Sequence, residues 1–256
     1  MVNLIKIRIM LKKYHFKEIG STNDAAKELL QSEDLILAYA DFQTKGRGRN
    51  ENKWFGNHGE NIYCSFGIRH KREISINQVI IFQAIGALIT AKALRETTDN
   101  KATFKIKYPN DVMALMTDGN FGKISGVLAE HSFQGSTCTE SIVGIGVNIN
   151  QEQFSGITMN TPTSLKLLLN QEFETKPIID LMSEHFIQLY NLDYDQLFNV
   201  WRNELNFADK AVKVKNRDAD YIIIGLQEDG TVQVKNLTTN EVEIIDNGDS
   251  IRYDLR

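Results

Sequence analysis

The chain reads as an α+β fold with a small β-barrel at its C-terminal end. Three observations predict this. Strand-like runs and helical runs alternate through residues 14–115, strands then return up to Asn148, and short strands with close turns fill the segment from Asp209 onward. At 256 residues, 42% hydrophobic and 24% charged, the composition is globular, with room for one large domain and one small. The division expected is residues 1–208 and 209–256.

Each element has its own signal. Residues 1–11 mix apolar side chains with Lys6 and Arg8 and read as a first strand or a leader, with Met10 a second candidate start. The run lacks the length of a membrane span and the cleavage site of an export signal. Residues 14–19 alternate as a strand. Ser21-Thr22-Asn23-Asp24 supplies N-cap chemistry for a short helix over 25–30. Residues 35–42 and 61–68 read as strands, the second with Ile62, Cys64, Phe66 and Ile68 on one face.

Residues 77–95 carry the longest helical signal. Apolar positions cover more than one stripe, which predicts a buried helix. Residues 104–108 form a strand halted by Pro109. A strand over 112–115, an Asp118-Gly119 turn, and strands over 123–130 and 141–148 follow. Residues 163–205 are mostly helical, with Pro177 near a helix start. Short strands near 212–214, 222–225, 232–234 and 242–245 make the small barrel.

Formal net charge is −4 and the pI is about 5.8. Such a chain is a poor general nucleic-acid binder, because duplex affinity is mostly phosphate neutralisation. Two cysteines make no disulfide framework and point to a reducing cytoplasm. The five histidines have no zinc-ligand spacing.

Against this acidic background one loop stands out. Gln43-Thr44-Lys45-Gly46-Arg47-Gly48-Arg49 follows a strand and is followed in turn by Trp54. Glycines free backbone N–H groups to face an anion, and arginines add forked donors for carboxylate and phosphate. Trp54 offers a flat face for stacking. The pattern is neither a P-loop nor a dinucleotide fingerprint. Other segments complement it. They are Ser21-Thr22-Asn23 at a strand-to-helix junction, the Lys107-Tyr108-Pro109-Asn110-Asp111 turn, Lys123-Ile124-Ser125-Gly126, and Gly144-Ile145-Gly146-Val147-Asn148. Taken singly, each has a plain structural reading: helix cap, Asx turn or strand glycine.

In this order and spacing the motifs resemble those of the biotin–protein ligases, over almost the whole chain. The resemblance implies a central mixed β-sheet flanked by helices, a class II synthetase-like core. It implies ATP and biotin as substrates with Mg²⁺. Biotinyl-5′-AMP forms first, and a lysine of a biotin carrier domain of a biotin-dependent carboxylase then takes the biotin. Carried over by position, Ser21, Thr22, Asn23, Gln43, Gly46, Arg47, Gly48, Arg49, Lys123 and Gly126 are expected around biotin. Arg49, Trp54, Asn110, Lys123 and Asn148 are expected around ATP. Arg49, Lys123 and Asp111 are the expected catalytic residues, with Asp111 also the candidate Mg²⁺ ligand.

Joining a carboxylate to ATP brings two anions together, and cationic donors must screen both. No covalent enzyme intermediate is required, and neither Cys64 nor Cys138 lies in a motif. The chain departs from the family pattern at Asn50-Glu51-Asn52, where a further Gly and Arg are frequent, and at Tyr108, where Trp is frequent. With the Ser-Thr-Asn triplet at residue 21, no N-terminal helix-turn-helix domain and no DNA partner are expected. A homodimer stays open. The alternatives are a lipoate or octanoate ligase or transferase, and a non-catalytic biotin sensor.

Overall fold

The computed structural model describes residues 10–49, 52–154, 161–246 and 248–255. Most of the expected leading strand, and Asn50 and Glu51 of the variant loop, lie outside the described residues. Seven strands form one mixed sheet: β1 (Lys12–Phe16), β2 (Leu35–Ala40), β3 (Asn61–Arg69), β4 (Phe104–Lys107), β5 (Asp111–Leu115), β6 (Phe121–Gln134) and β7 (Thr137–Asn148). Their order is β1-β2-β3-β7-β6-β5-β4. Only the β1–β2 pair is parallel.

Helix α1 (Thr22–Leu29) covers one face, where Ala25, Ala26 and Leu30 pack on Ile36, Ala38 and Ile142. Helix α2 (Ile80–Thr97) covers the other, against Leu37, Ile62, Cys64, Phe66 and Ile68. Its segment from Ile76 to Thr97 is long and apolar enough to cross a bilayer. In the fold that apolarity faces the sheet and two further helices, α4 (Thr175–Tyr190) and α5 (Tyr194–Leu205), introduced after the short α3 (Leu165–Leu169). Gly86 permits the close approach: a Cβ there would stand 2.6 Å from Val127 Cγ1 and 2.9 Å from Val143 Cγ1.

The C-terminal segment forms a second, antiparallel sheet in the order β11-β10-β9-β8-β12. Its strands are β8 (Ala211–Val214), β9 (Asp220–Leu226), β10 (Val232–Asn236), β11 (Val242–Ile245) and β12 (Ile251–Tyr253). This sheet grips the end of β4. The Tyr108 backbone N–H donates to the Tyr253 hydroxyl at 2.8 Å, and the Tyr108 hydroxyl donates to the Gly230 carbonyl. Gly248 lies against the Tyr108 and Pro109 rings, where a Cβ would come within 2.6 Å and 2.9 Å of them. Tyr108 also stacks on Trp201 and Phe207.

The observed bounds differ from the sequence-based ones in instructive ways. β1 starts earlier and stops at Phe16, and Ile19 makes only an isolated bridge to Gln43. β6 and β7 run on as a long hairpin past Glu130 and back from Thr137. Polar residues there hide the strand because that end is more exposed. The short β12, which follows the Asn247-Gly248-Asp249 turn signal in the sequence, escaped the sequence reading.

Candidate active site

Ser21 occupies the N-cap of α1 in extended conformation, and its side chain makes no capping bond. The plain capping reading therefore does not account for its hydroxyl. Thr22 does engage its neighbours: its backbone N–H and its hydroxyl both donate to Gln43 Oε1, at 2.7 and 3.0 Å. Ser65, which the sequence reading missed, projects from β3 beneath them. Its hydroxyl lies 2.8 Å from Thr22 Oγ1 and 2.6 Å from Asn23 Oδ1. Asn23 Nδ2 donates to Glu130 Oε2 at 2.7 Å. The Asn23 amide rests on bare backbone, because a Cβ at Gly144 would stand 2.1 Å from its Oδ1. A serine breaking the apolar run of β3, on the face opposite Phe66, was the available signal for Ser65.

Residues 46–49 and 52–54 pair as the two arms of a hairpin. Its base is closed by Trp54 N–H to the Gly46 carbonyl at 3.0 Å, and Arg47 bridges Lys53. Gly48 N–H reaches the Asn52 carbonyl at 2.7 Å, and Asn52 donates back to Arg49. Gly46 is required for the close turn, since a Cβ would meet the Trp54 carbonyl at 2.5 Å.

The two arginines of the hairpin point to different places. Arg49 Nη1 donates to Asn110 Oδ1 at 3.0 Å, and Asn110 Nδ2 donates to the Val127 carbonyl. Lys123 Nζ lies 2.7 Å from Asp111 Oδ1 and 5.9 Å from the centre of the Trp54 ring. Two cations thus meet on the Asn110-Asp111 dipeptide, which follows the cis Tyr108–Pro109 bond. Arg47 is expected around biotin, and its side chain meets carboxylates of the protein. Its guanidinium bonds both Asp24 oxygens, at 2.9 and 2.6 Å, and lies 3.6 Å from Glu130.

Trp54 lies flat on a glycine floor. A Cβ at Gly146 would stand 2.3 Å from the indole Cε2, and one at Gly126 would stand 3.1 Å from its Cζ3. The indole Nε1 is buried without a hydrogen-bond partner. Asn148, at the end of β7, donates to the Thr163 carbonyl at 3.1 Å. Every candidate residue named from the sequence therefore lies on one side of the sheet or on the hairpin and turns that rim it. Arg47 turns its guanidinium to Asp24 of α1.

Among the described residues, no three His, Cys, Asp or Glu side chains are grouped to hold a metal. Asp111 supplies a single carboxylate, largely buried. Mg²⁺ commonly takes one or two carboxylates and completes its shell with substrate phosphates and water. The donor set suits Mg²⁺ that enters on a nucleotide rather than a resident ion.

Residues 16–148 match the model of the biotin/lipoate A/B protein ligase family. A bifunctional ligase/repressor BirA of Bacillus subtilis is 26% identical over 165 residues, covering 63% of this chain and 48% of that protein. A biotin--[acetyl-CoA-carboxylase] ligase of Paracoccus denitrificans is 28% identical over 191 residues, covering 71% of this chain and 75% of its own. The chain spans about half the length of the Bacillus relative. Among solved structures, a biotin protein ligase from Aquifex aeolicus in complex with biotin and ATP superposes with a TM-score of 0.69 at 25% identity. That match covers 95% of this chain and 99% of the other.

Proposed function

We propose a function on the premise that this chain belongs to the biotin/lipoate A/B protein ligase family. The chain is an ATP-dependent biotin–protein ligase. It activates biotin as biotinyl-5′-AMP and passes the biotin to a lysine of a carboxylase's carrier domain. The single observation that carries this reading is the meeting of Arg49 and Lys123 on Asn110-Asp111, beside Trp54 on its glycine floor.

The chemistry follows from those groups. Ser21, Thr22 and Gln43 offer small donors and acceptors for the ureido head of biotin, beside Ser65 and Asn23. Biotin's carboxylate would attack the α-phosphate and expel pyrophosphate. Arg49 and Lys123 supply the fixed positive charge that this in-line displacement needs. Asp111 would hold Mg²⁺ brought in on the nucleotide, which would supply Lewis-acid screening of the phosphates. Trp54 gives the adenine a stacking face. In the second step the carrier amine must lose a proton, and Asp111 is the group placed to assist or orient it. The hairpin shields the mixed anhydride from water. We read residues 1–208 as the catalytic unit and 209–256 as its support. Two free, buried cysteines fit a cytoplasmic protein.

Lys123→Ala tests the reading. Pyrophosphate release with biotin and ATP should fall by roughly 2–4 orders of magnitude, as when a preorganised electrostatic group is lost. Near-normal release in this variant would remove Lys123 from the mechanism.

A further inference from the structure

The hairpin is pinned on two sides. On one side Arg49 reaches Asn110, within the site that the proposed reaction would use. On the other, Arg47 reaches Asp24 of α1 and neighbours Glu130. A ligand that recruits Arg49 loosens the first pin and leaves the second as the hold on the hairpin. The second pin is built. Arg47 makes a two-pronged bond to Asp24 and neighbours Glu130. Glu130 is fixed in turn by Asn23, and Asn23 by Ser65 in the sheet floor. The hairpin is therefore tied through side chains to the middle of the sheet.

We infer that Asp24 and Glu130 are positioning residues that hold the Gly46–Arg49 loop over the site through Arg47, and so set how long the acyl-adenylate is retained. The Arg47 guanidinium is then a latch. This rests on the biotin-ligase reading. Both partners are partly exposed, with side-chain accessibilities of 41% for Arg47 and 61% for Asp24. A pair so placed is weak but geometrically good, and it is screened by salt. The Asp24 carboxyl is also held below the usual carboxylate range by its hydrogen bond from Arg47. The latch stays charged through the neutral range.

The test is Asp24→Asn in the full chain, loaded with biotin and Mg·ATP. Adenylation rate should stay within about twofold, while biotinyl-AMP leaves the enzyme roughly two- to fivefold faster, the range for one exposed pair. Wild-type release should quicken with ionic strength, and release from Asp24→Asn, which keeps only the Arg47–Glu130 pair, should do so less. Asp24→Glu should restore part of the retention and the salt slope. Unchanged lifetime and unchanged salt slope in Asp24→Asn overturn the inference. If the wild-type chain forms no biotinyl-AMP, the ligase reading fails instead. Limited trypsin digestion then judges the latch by itself, since Arg49 and Lys53 are cleavage sites on the hairpin. Faster cleavage there in Asp24→Asn supports the latch, and equal rates refute it.

Discussion

Gly146→Ala is the sharpest probe of the Trp54 platform. Gly146 lies within β7 between Tyr63 of β3 and Gly126 of β6. It is not among the positive-φ glycines, so its backbone accepts alanine. The new Cβ would stand 2.3 Å from Trp54 Cε2, 2.5 Å from Nε1 and 2.7 Å from Cζ2. Carbon atoms in contact settle near 3.5–4.0 Å, so the rigid indole must lift by roughly 1 Å or more. Replacing a mid-strand glycine returns about 0.5–1 kcal/mol, which offsets part of the lost indole packing. Global stability should therefore change little.

Function should change more. Stacking of a base on an aromatic ring is worth about 1–3 kcal/mol, so ATP affinity should fall roughly 5- to 150-fold. The assays are the KM for ATP in pyrophosphate release and acrylamide quenching of tryptophan emission. Trp201, the other tryptophan, is fully buried and gives a constant background. Gly126→Ala is the graded control: its Cβ would meet Trp54 at 3.1 Å and Lys123 at 3.2 Å, contacts that a small shift relieves. An unchanged KM and unchanged quenching in Gly146→Ala would refute the platform.

Arg49→Gly should shorten the lifetime of enzyme-bound adenylate and raise labelling of bystander lysines, read by mass spectrometry of an added inert protein; an unchanged lifetime would contradict the role given to Arg49. Tyr253→Phe strips the acceptor from the Tyr108 N–H, a cost of about 1–3 kcal/mol for a buried donor left unpaired. The melting temperature should drop by several degrees and adenylation should slow, because the Asn110-Asp111 turn follows directly; a Tyr253→Phe protein with full activity would show that the C-terminal sheet does not support the turn. His70 and His131 both meet the Ser141 hydroxyl at 2.8 Å. Burial lowers both to about 4, with the neighbouring His131 adding to the effect on His70. Unfolded imidazoles titrate near 6.5, so between these values the unfolded chain binds more protons. Stability should be fully present above about pH 6.5 and be lost as pH falls towards 4. The urea midpoint should be lower at pH 5 than at pH 7, and His131→Gln should flatten that slope; equal midpoints in the wild-type chain would refute the assignment.

Much of the architecture was legible because burial writes itself into periodicity. The run from Ile80 to Thr97 is apolar over more than one stripe because it packs against both the sheet and helices. β3 shows its core face as alternating Ile62, Cys64, Phe66 and Ile68. The site motifs were legible because glycine must leave room: Gly144 for Asn23, Gly146 for Trp54, and Gly46 for the hairpin base. What stayed hidden were pairings between distant elements. Nothing local marks Asp24 as the partner of Arg47, or Glu130 as the acceptor for Asn23, since a carboxylate on a helix start or on a strand reads as surface. Tyr253 and Gly248 gave no sign that they would brace Tyr108 and Pro109, because β12 is three residues long and its contacts are all tertiary.

The central claim is that the site joins biotin to ATP. Pyrophosphate release should be measured with ATP, Mg²⁺ and either biotin or lipoate, followed by the intact mass of an added biotin carrier domain. The account predicts release that depends on biotin and a single biotin on the carrier. Release with lipoate alone, or with neither acid, would contradict it.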